Sequence, residues 1–161
     1  MRKVYVVGAK RSAIGSFMGS LSNVHPAEVG KQVLTALLKE SNVTPDMVDE
    51  VLVGNILSAG LGQNVGRQIS IYAGIPSTTP ASCLNMVCGS GMKTVMNAYT
   101  SIALNMADIM VAGGVESMSG APYLVTGQVR TGIKMGEQPL RDHMLYDALT
   151  DVFNGYHMGV T

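Results

Sequence analysis

Asn85-Met86-Val87-Cys88-Gly89-Ser90-Gly91-Met92 is the stretch on which the reading of this chain turns. A short β-like run, Thr78 to Leu84, precedes it, and an apolar helix-like segment, Lys93 to Met106, follows it. The motif therefore sets one thiol at a strand-to-helix junction, where unpaired backbone N–H groups and the positive end of the helix dipole converge. Gly89, Ser90 and Gly91 leave little bulk around the sulfur, so an acyl substrate or another backbone has room to approach. That is a seat for a nucleophile. A free Cys is also among the most often buried residues and packs as a small hydrophobe, so Cys88 taken alone leaves both readings open.

Outward from this motif, strand and helix signals alternate. Residues 3–8 predict a buried strand, and residues 9–22 a loop punctuated by Gly15 and Gly19. Pro26 suits a first helical position, and Val29, Val33 and Leu37 form one row with Leu34 and Leu38 beside it, so 26–41 predicts an amphipathic helix. Thr44-Pro45-Asp46 starts a short helical turn. Glu50 to Leu57 is apolar enough for a strand covered on both faces. A helix over about 64–73 ends at Gly74 with Pro76 beyond, the third strand leads into Cys88, and Asp108 to Val115 makes a fourth. This β-α-β-α-β-α-β rhythm implies an α/β fold, a mostly parallel sheet between helices. Beyond Ser119 the character changes. Residues 120–136 have few apolar anchors and carry Arg130 and Lys134, so they read as a surface excursion, while Leu145, Leu149 and Phe153 restore helical spacing up to Gly155.

Composition bounds the function. The 161 residues are enough for one packed domain, and 47% hydrophobic against 14% charged argues against disorder. Eleven basic and eleven acidic side chains cancel, so nothing in the composition suggests a polyanion-binding surface, and nucleic acid is not expected as a partner. The 12 methionines serve as core filler or as lining for a flexible acyl pocket. Cys83 and Cys88 are five residues apart, complete no zinc set, and would distort the junction if bridged; no metal is expected, and two reduced thiols suit a cytoplasmic protein. Only Arg2 and Lys3 separate Met1 from the first apolar run, so no signal segment is expected, and no apolar run approaches the roughly 18–20 residues that span a bilayer.

Four motifs in order carry a resemblance across the whole chain: Gln63-Asn64-x-x-Arg67-Gln68, Asn85-x-x-Cys88-Gly89-Ser90-Gly91-Met92, Gly113-Gly114-Val115-Glu116-Ser117-Met118-Ser119 and Gly155-Tyr156-His157-Met158-Gly159. Together they resemble the N-terminal part of a thiolase, and within that family the biosynthetic acetyl-CoA C-acetyltransferases. The resemblance implies residues 1–118 as an incomplete thiolase N-terminal core and 119–161 as the start of a loop domain, with Arg130 and Lys134 in a tetramerisation loop; a solvated basic loop fits those two residues equally well. It implies Cys88 as the nucleophile that takes an acyl group from coenzyme A, with its own N–H helping to hold the oxyanion. His157 and Met158 fall to substrate binding, with Leu149 beside the pantetheine arm; a hydrogen-bonded packing role is the other reading of His157.

The implied reaction is condensation of two acetyl-CoA to acetoacetyl-CoA, or its reversal, with coenzyme A thioesters as substrates, no bound cofactor and a homo-oligomer, dimer or tetramer. The family's His base, its Asn–water oxyanion site and its second Cys lie in the later half, so the 161-residue form is expected to be inactive or nearly so. A sheet edge and a packing face are expected to lie uncovered. His25 and His143 read as surface. Glu116 reads as a brace for the Cys88 loop, and Asn85 with the Gln63, Asn64, Arg67 and Gln68 cluster as scaffold near a dimer interface. Two other classes stay open: a β-ketoacyl synthase type of condensing enzyme, and a non-catalytic half-enzyme acting as an oligomerisation module.

Overall fold

In the run Glu50-Val51-Leu52-Val53-Gly54, successive side chains point to opposite faces of a strand, and four of the five residues are buried. This strand, β1 (Glu50–Gly54), is therefore covered on both sides and can only be the middle of a sheet. The computed structural model, which describes residues 2–127 and 129–161, places it there. β2 (Ala81–Leu84) and β3 (Met110–Gly114) flank it in the order β2-β1-β3, both parallel to it. Val51 pairs with Ala81 on one side and Val111 on the other.

Helices α1 (Pro26–Glu40) and α2 (Val65–Tyr72) lie on one face and α3 (Ser90–Ala103) on the other. Val51 and Val53 pack with Ala27, Leu34 and Leu38 of α1 and Val65 and Ile69 of α2 in the main core. Gly54, on the opposite face, meets the first turn of α3. α1 begins as its sequence requires, with Pro26 in the first turn and the exposed His25 ring accepting the Ala27 N–H at 3.2 Å. α2 is capped by Asn64, whose φ of 39° lies in the left-handed region and whose side chain accepts the Arg67 N–H. The Asp49 carboxylate accepts the N–H groups of Ile109 and Asp108, tying the start of β1 to the start of β3. Those bonds, Ile109 first, hold its carboxyl below the usual carboxylate range; the stability they add is present above about pH 4 and is lost as pH falls through the lowered value.

The structure corrects the expectation at residues 3–8. They form no strand, and Tyr5, Val6 and Val7 are exposed. The segment is tethered at both ends, by the Arg2–Asp108 ion pair and by Lys10 to Glu40 at 2.5 Å. Between those ties, residues 4–10 share a cleft of about 420 Å³ with Ile109 to Ala112 of β3 and the residue before it, and pair with neither. A strand needs a hydrogen-bonded neighbour, and β3, the strand across this cleft, forms no ladder with the segment. The third strand starts at Ala81 rather than Thr78, because the Thr79 N–H closes a turn onto Pro76 and the Thr79 hydroxyl is spent on Val48 O. The helical spacing at 141–153 yields a single π-helical turn, Leu145–Leu149, following an antiparallel pair, β4 (Tyr123–Val125) and β5 (Leu140–Asp142). Arg130 and Lys134 lie exposed on the connection between these two strands.

A Cβ at Gly54 would sit 2.6 Å from the Ser90 carbonyl carbon, whereas one at Gly113 would meet nothing within 4 Å. Gly54→Ala should therefore lower unfolding stability by about 1–3 kcal/mol in urea titration, while Gly113→Ala should leave it within about half a kilocalorie; equal losses would show that α3 does not rest on Gly54.

Candidate active site

The route from β2 into α3 is a sharp reversal built by two polar side chains. Asn85 Oδ1 accepts the Val87 N–H at 2.9 Å, and Ser90 Oγ accepts the Met86 N–H at 2.8 Å while donating to Val87 O at 2.6 Å. Held between them, Val87 has a φ of 48°. For a β-branched residue this left-handed backbone costs about 1–3 kcal/mol, so the turn persists only because its neighbours over-determine it. The strained residue immediately precedes Cys88. The Gly89 and Ser90 amides close the turn on Met86 O and Val87 O, and Met86 and Cys88 form an isolated backbone bridge.

Cys88 is exposed. It lines an open cavity of about 310 Å³ with Gly54, Ile56, Gly91, Gly114 and Glu116. α3 therefore begins at Ser90, three residues earlier than expected, so that its first turn forms part of the cavity wall. Thr94, fully buried, secures that turn by donating to Gly91 O and Gly113 O, at 2.7 and 3.0 Å. The thiol is thus neither sealed in aliphatic packing nor screened by side chains from the small residues behind it.

Glu116 braces a different loop from the one expected. Its Oε1 accepts from Asn55 Nδ2 and the Leu57 N–H, both at 2.9 Å, and its Oε2 accepts the Ile56 N–H at 3.0 Å. The carboxylate therefore organises residues 55–57, whose Ile56 lines the cavity beside Cys88. Asn55, nearly fully buried, also donates to Val115 O. The reason for the difference is topological: β1 and β3 are neighbours, so the residue after β3 reaches the loop after β1.

The scaffold reading of the remaining polar residues matches the contacts. Arg67 donates to Thr79 O and Ser77 O, Gln68 to Leu61 O and Gln63 O, and Asn64 Nδ2 to Ala81 O. The two cysteines differ in setting. Cys83 is exposed along its strand, but its sulfur accepts the Gly66 N–H at 3.0 Å and burial pushes its thiol up from the usual range.

The stretch after Leu149 and the stretch at His157-Met158 meet in a β-bridge between Thr150 and His157, and the His157 ring accepts the Gly159 N–H at 2.9 Å. None of the three lines the cavity beside Cys88. His143, read as surface, is buried at 6% exposure. Val87 and Ser90 are the site residues that sequence reasoning missed as such; the signal available was an Asn two residues before a β-branched residue with a Ser three after it, the makings of two interlocked side-chain turns.

A family profile described as "Thiolase, N-terminal domain" matches residues 4–161. The chain belongs to the thiolase family. It is 51% identical over 158 residues to a cytosolic acetyl-CoA acetyltransferase of Mus musculus, covering 98% of this chain and 39% of that protein. It is 49% identical over 159 residues to an acetyl-CoA acetyltransferase of Chromobacterium violaceum, covering 99% of this chain and 40% of the relative. Its fold superposes at a TM-score of 0.89 on the crystal structure of the Acat5 thiolase from Ascaris suum in complex with coenzyme A, at 36% identity over 96% of this chain and 39% of that one. The chain thus spans about two fifths of the length of the curated relatives it matches. Membership in the thiolase family agrees with the motif order and with a parallel sheet between helices.

Iodoacetamide at neutral pH should modify Cys88 well before Cys83, since burial holds the Cys83 thiol protonated into more alkaline solution. Peptide mapping of a timed alkylation checks this; equal rates at the two sulfurs would contradict the assignment.

Proposed function

We propose that this chain carries the acylation centre of an acetyl-CoA acetyltransferase, a thiolase that condenses two acetyl-CoA to acetoacetyl-CoA and free coenzyme A and runs reversibly. The observation that carries this reading is the exposed Cys88 sulfur on an open cavity, held by a strained turn at the head of α3, in a chain half identical to proteins named for that activity. The Cys88 sulfur attacks the thioester carbonyl, its S–C bond forms, the C–S bond to coenzyme A breaks, and coenzyme A leaves as the thiol after taking up the proton given up by Cys88. In this proposal the Cys88 N–H, just before α3, helps to hold the oxyanion of the tetrahedral intermediate.

In this proposal His157, Met158 and Leu149 belong to the segment that binds the acyl-CoA, with coenzyme A thioesters as substrates and no bound cofactor. The protein works in the cytoplasm as a homo-oligomer. Among the described residues no helix is long and apolar enough to cross a membrane. The apolar outer face of α3, where Met92, Val95, Met96 and Tyr99 are all exposed, favours a second reading in which the main role of these residues is assembly.

In a full-length parent that carries these residues, incubation with acetyl-CoA should add one acetyl group to Cys88, read by mass spectrometry of the Cys88 peptide, whereas the 161 residues alone should show little or no turnover. Cys88→Ala should lower acylation and thiolysis of acetoacetyl-CoA by at least about a thousandfold, and Cys83→Ala should retain both. Equal loss in the two variants would overturn the acyl-transfer reading. Acylation from acyl-carrier-protein thioesters alone would point to the synthase type of condensing enzyme, and no acylation together with a sharp oligomer peak to the assembly module.

A further inference from the structure

His143 is a buried titratable side chain that the acyl-transfer chemistry does not use. Its Nε2 accepts the Ala59 N–H at 3.4 Å, so the ring proton is on Nδ1 and is donated to Asp147 Oδ2 at 2.5 Å. The ring is thus held from both sides in one tautomer. Its backbone is fixed as well, the His143 N–H donating to Pro122 O at 3.1 Å.

The two partners belong to different parts of the molecule. Ala59 lies just beyond the loop that Glu116 holds at Ile56 and Leu57, and Ile56 lines the cavity of Cys88. Asp147 is in the π-helical turn Leu145–Leu149, after which Thr150 bridges to His157. Among the described residues, the bond from Ala59 is the hydrogen bond that joins the segment 140–161 to residues 2–119. The ring therefore links the wall of the cysteine cavity to the segment that carries Leu149, His157 and Met158.

We propose that His143 is a positioning residue for the acyl-CoA site: through Ala59 and Asp147 it latches the Leu149–Met158 segment to the loop beside Cys88. The proposal rests on the acyl-transfer reading above. His143 touches no reacting atom in it. It sets where the pantetheine-binding segment stands relative to the sulfur, so its loss weakens capture of the thioester and leaves the bond-making step intact.

The test uses a full-length parent that carries these residues and three substitutions. Gln places an amide oxygen where Nε2 was and can accept the Ala59 N–H; Asn reaches only the Nδ1 position and serves Asp147 alone; Ala serves neither. His143→Ala should raise the acetyl-CoA concentration that half-saturates acylation of Cys88 by about three- to tenfold, the value of one lost hydrogen bond, with the maximal acylation rate unchanged. His143→Gln should recover the wild-type half-saturation and His143→Asn should behave like Ala. In parallel, hydrogen exchange at the Ala59 amide should quicken in the Ala and Asn variants and return to the wild-type rate in the Gln variant. Unchanged half-saturation in the Ala variant, a fall in the maximal rate instead, or rescue by Asn rather than Gln would overturn the latch. Unchanged Ala59 exchange in the Ala variant would overturn it without reference to activity, whereas an unacylated wild-type protein with the predicted exchange pattern would sink the acyl-transfer reading alone.

Discussion

The rest of the structure depends on how closely the first turn of α3 is pressed onto the ends of β1 and β3. A Cβ at Gly54 would stand 2.7 Å from the Gly91 nitrogen, and one at Gly114 would stand 3.3 Å from Gly54 O. At Gly54 only a hydrogen in place of a side chain lets the helix reach the strand end, while Gly114 is tight against Gly54 O and in ordinary contact with Gly91 of the helix. Because the helix starts so near the sheet, the chain coming from β2 has little length in which to reverse. Val87 absorbs the reversal with a backbone that its side chain disfavours, and Asn85 and Ser90 hold it there. Close packing, local strain and an outward-facing thiol are in this way one arrangement. A strained turn is stable only on a rigid base, and the doubly covered β1 supplies it.

Polar groups then divide into those that hold backbone and those free to act. The Glu116 carboxylate accepts from three N–H donors, and the side-chain N–H groups of Arg67, Gln68 and Asn64 donate to carbonyls at or just before the starts of β2 and α2. Each satisfies backbone groups that loops cannot satisfy themselves, since a buried unpaired group costs about 1–3 kcal/mol. Cys88 is outside this economy of mutual satisfaction, and its neighbours are small. Cys83, five residues earlier, is inside it, with its sulfur committed to Gly66. The separation of one available thiol from one occupied thiol is the chemical content of the site.

Much of this was legible in the sequence because it is local. The helical spacing after Pro26 and the doubly apolar run at Glu50–Leu57 each depend on near neighbours; the structure places the helix at Pro26–Glu40 and ends the strand three residues early, at Gly54. The seat of Cys88 at a strand-to-helix junction was equally readable, since a β-like run, small residues and an apolar helix are adjacent in the chain. The N-terminal segment was misread for the complementary reason. Val4 to Gly8 has the composition of a buried strand, but a strand exists only with a partner, and here the neighbouring edge of β3 stays open across a cleft. Glu116 and His143 failed similarly: Glu116 was assigned to the wrong loop because its partners lie 59–61 residues away, and His143 to the surface because, although Asp147 is only four residues on, the Ala59 amide on the other side of the ring is 84 residues away.

By itself, then, the amino-acid order determined the elements, their α/β alternation, the family and the one cysteine with room around it, because those follow from short-range sterics, periodicity and motif spacing. Tertiary structure alone decided which edge pairs, which loop the Glu116 carboxylate braces, that His143 is a buried link rather than a surface ring, and that Val87 pays in backbone strain for the pose of the sulfur. Those outcomes are set by which distant groups meet as the sheet takes the order β2-β1-β3, and hydrogen bonds and close packing reward only groups that have already been brought within a few ångströms.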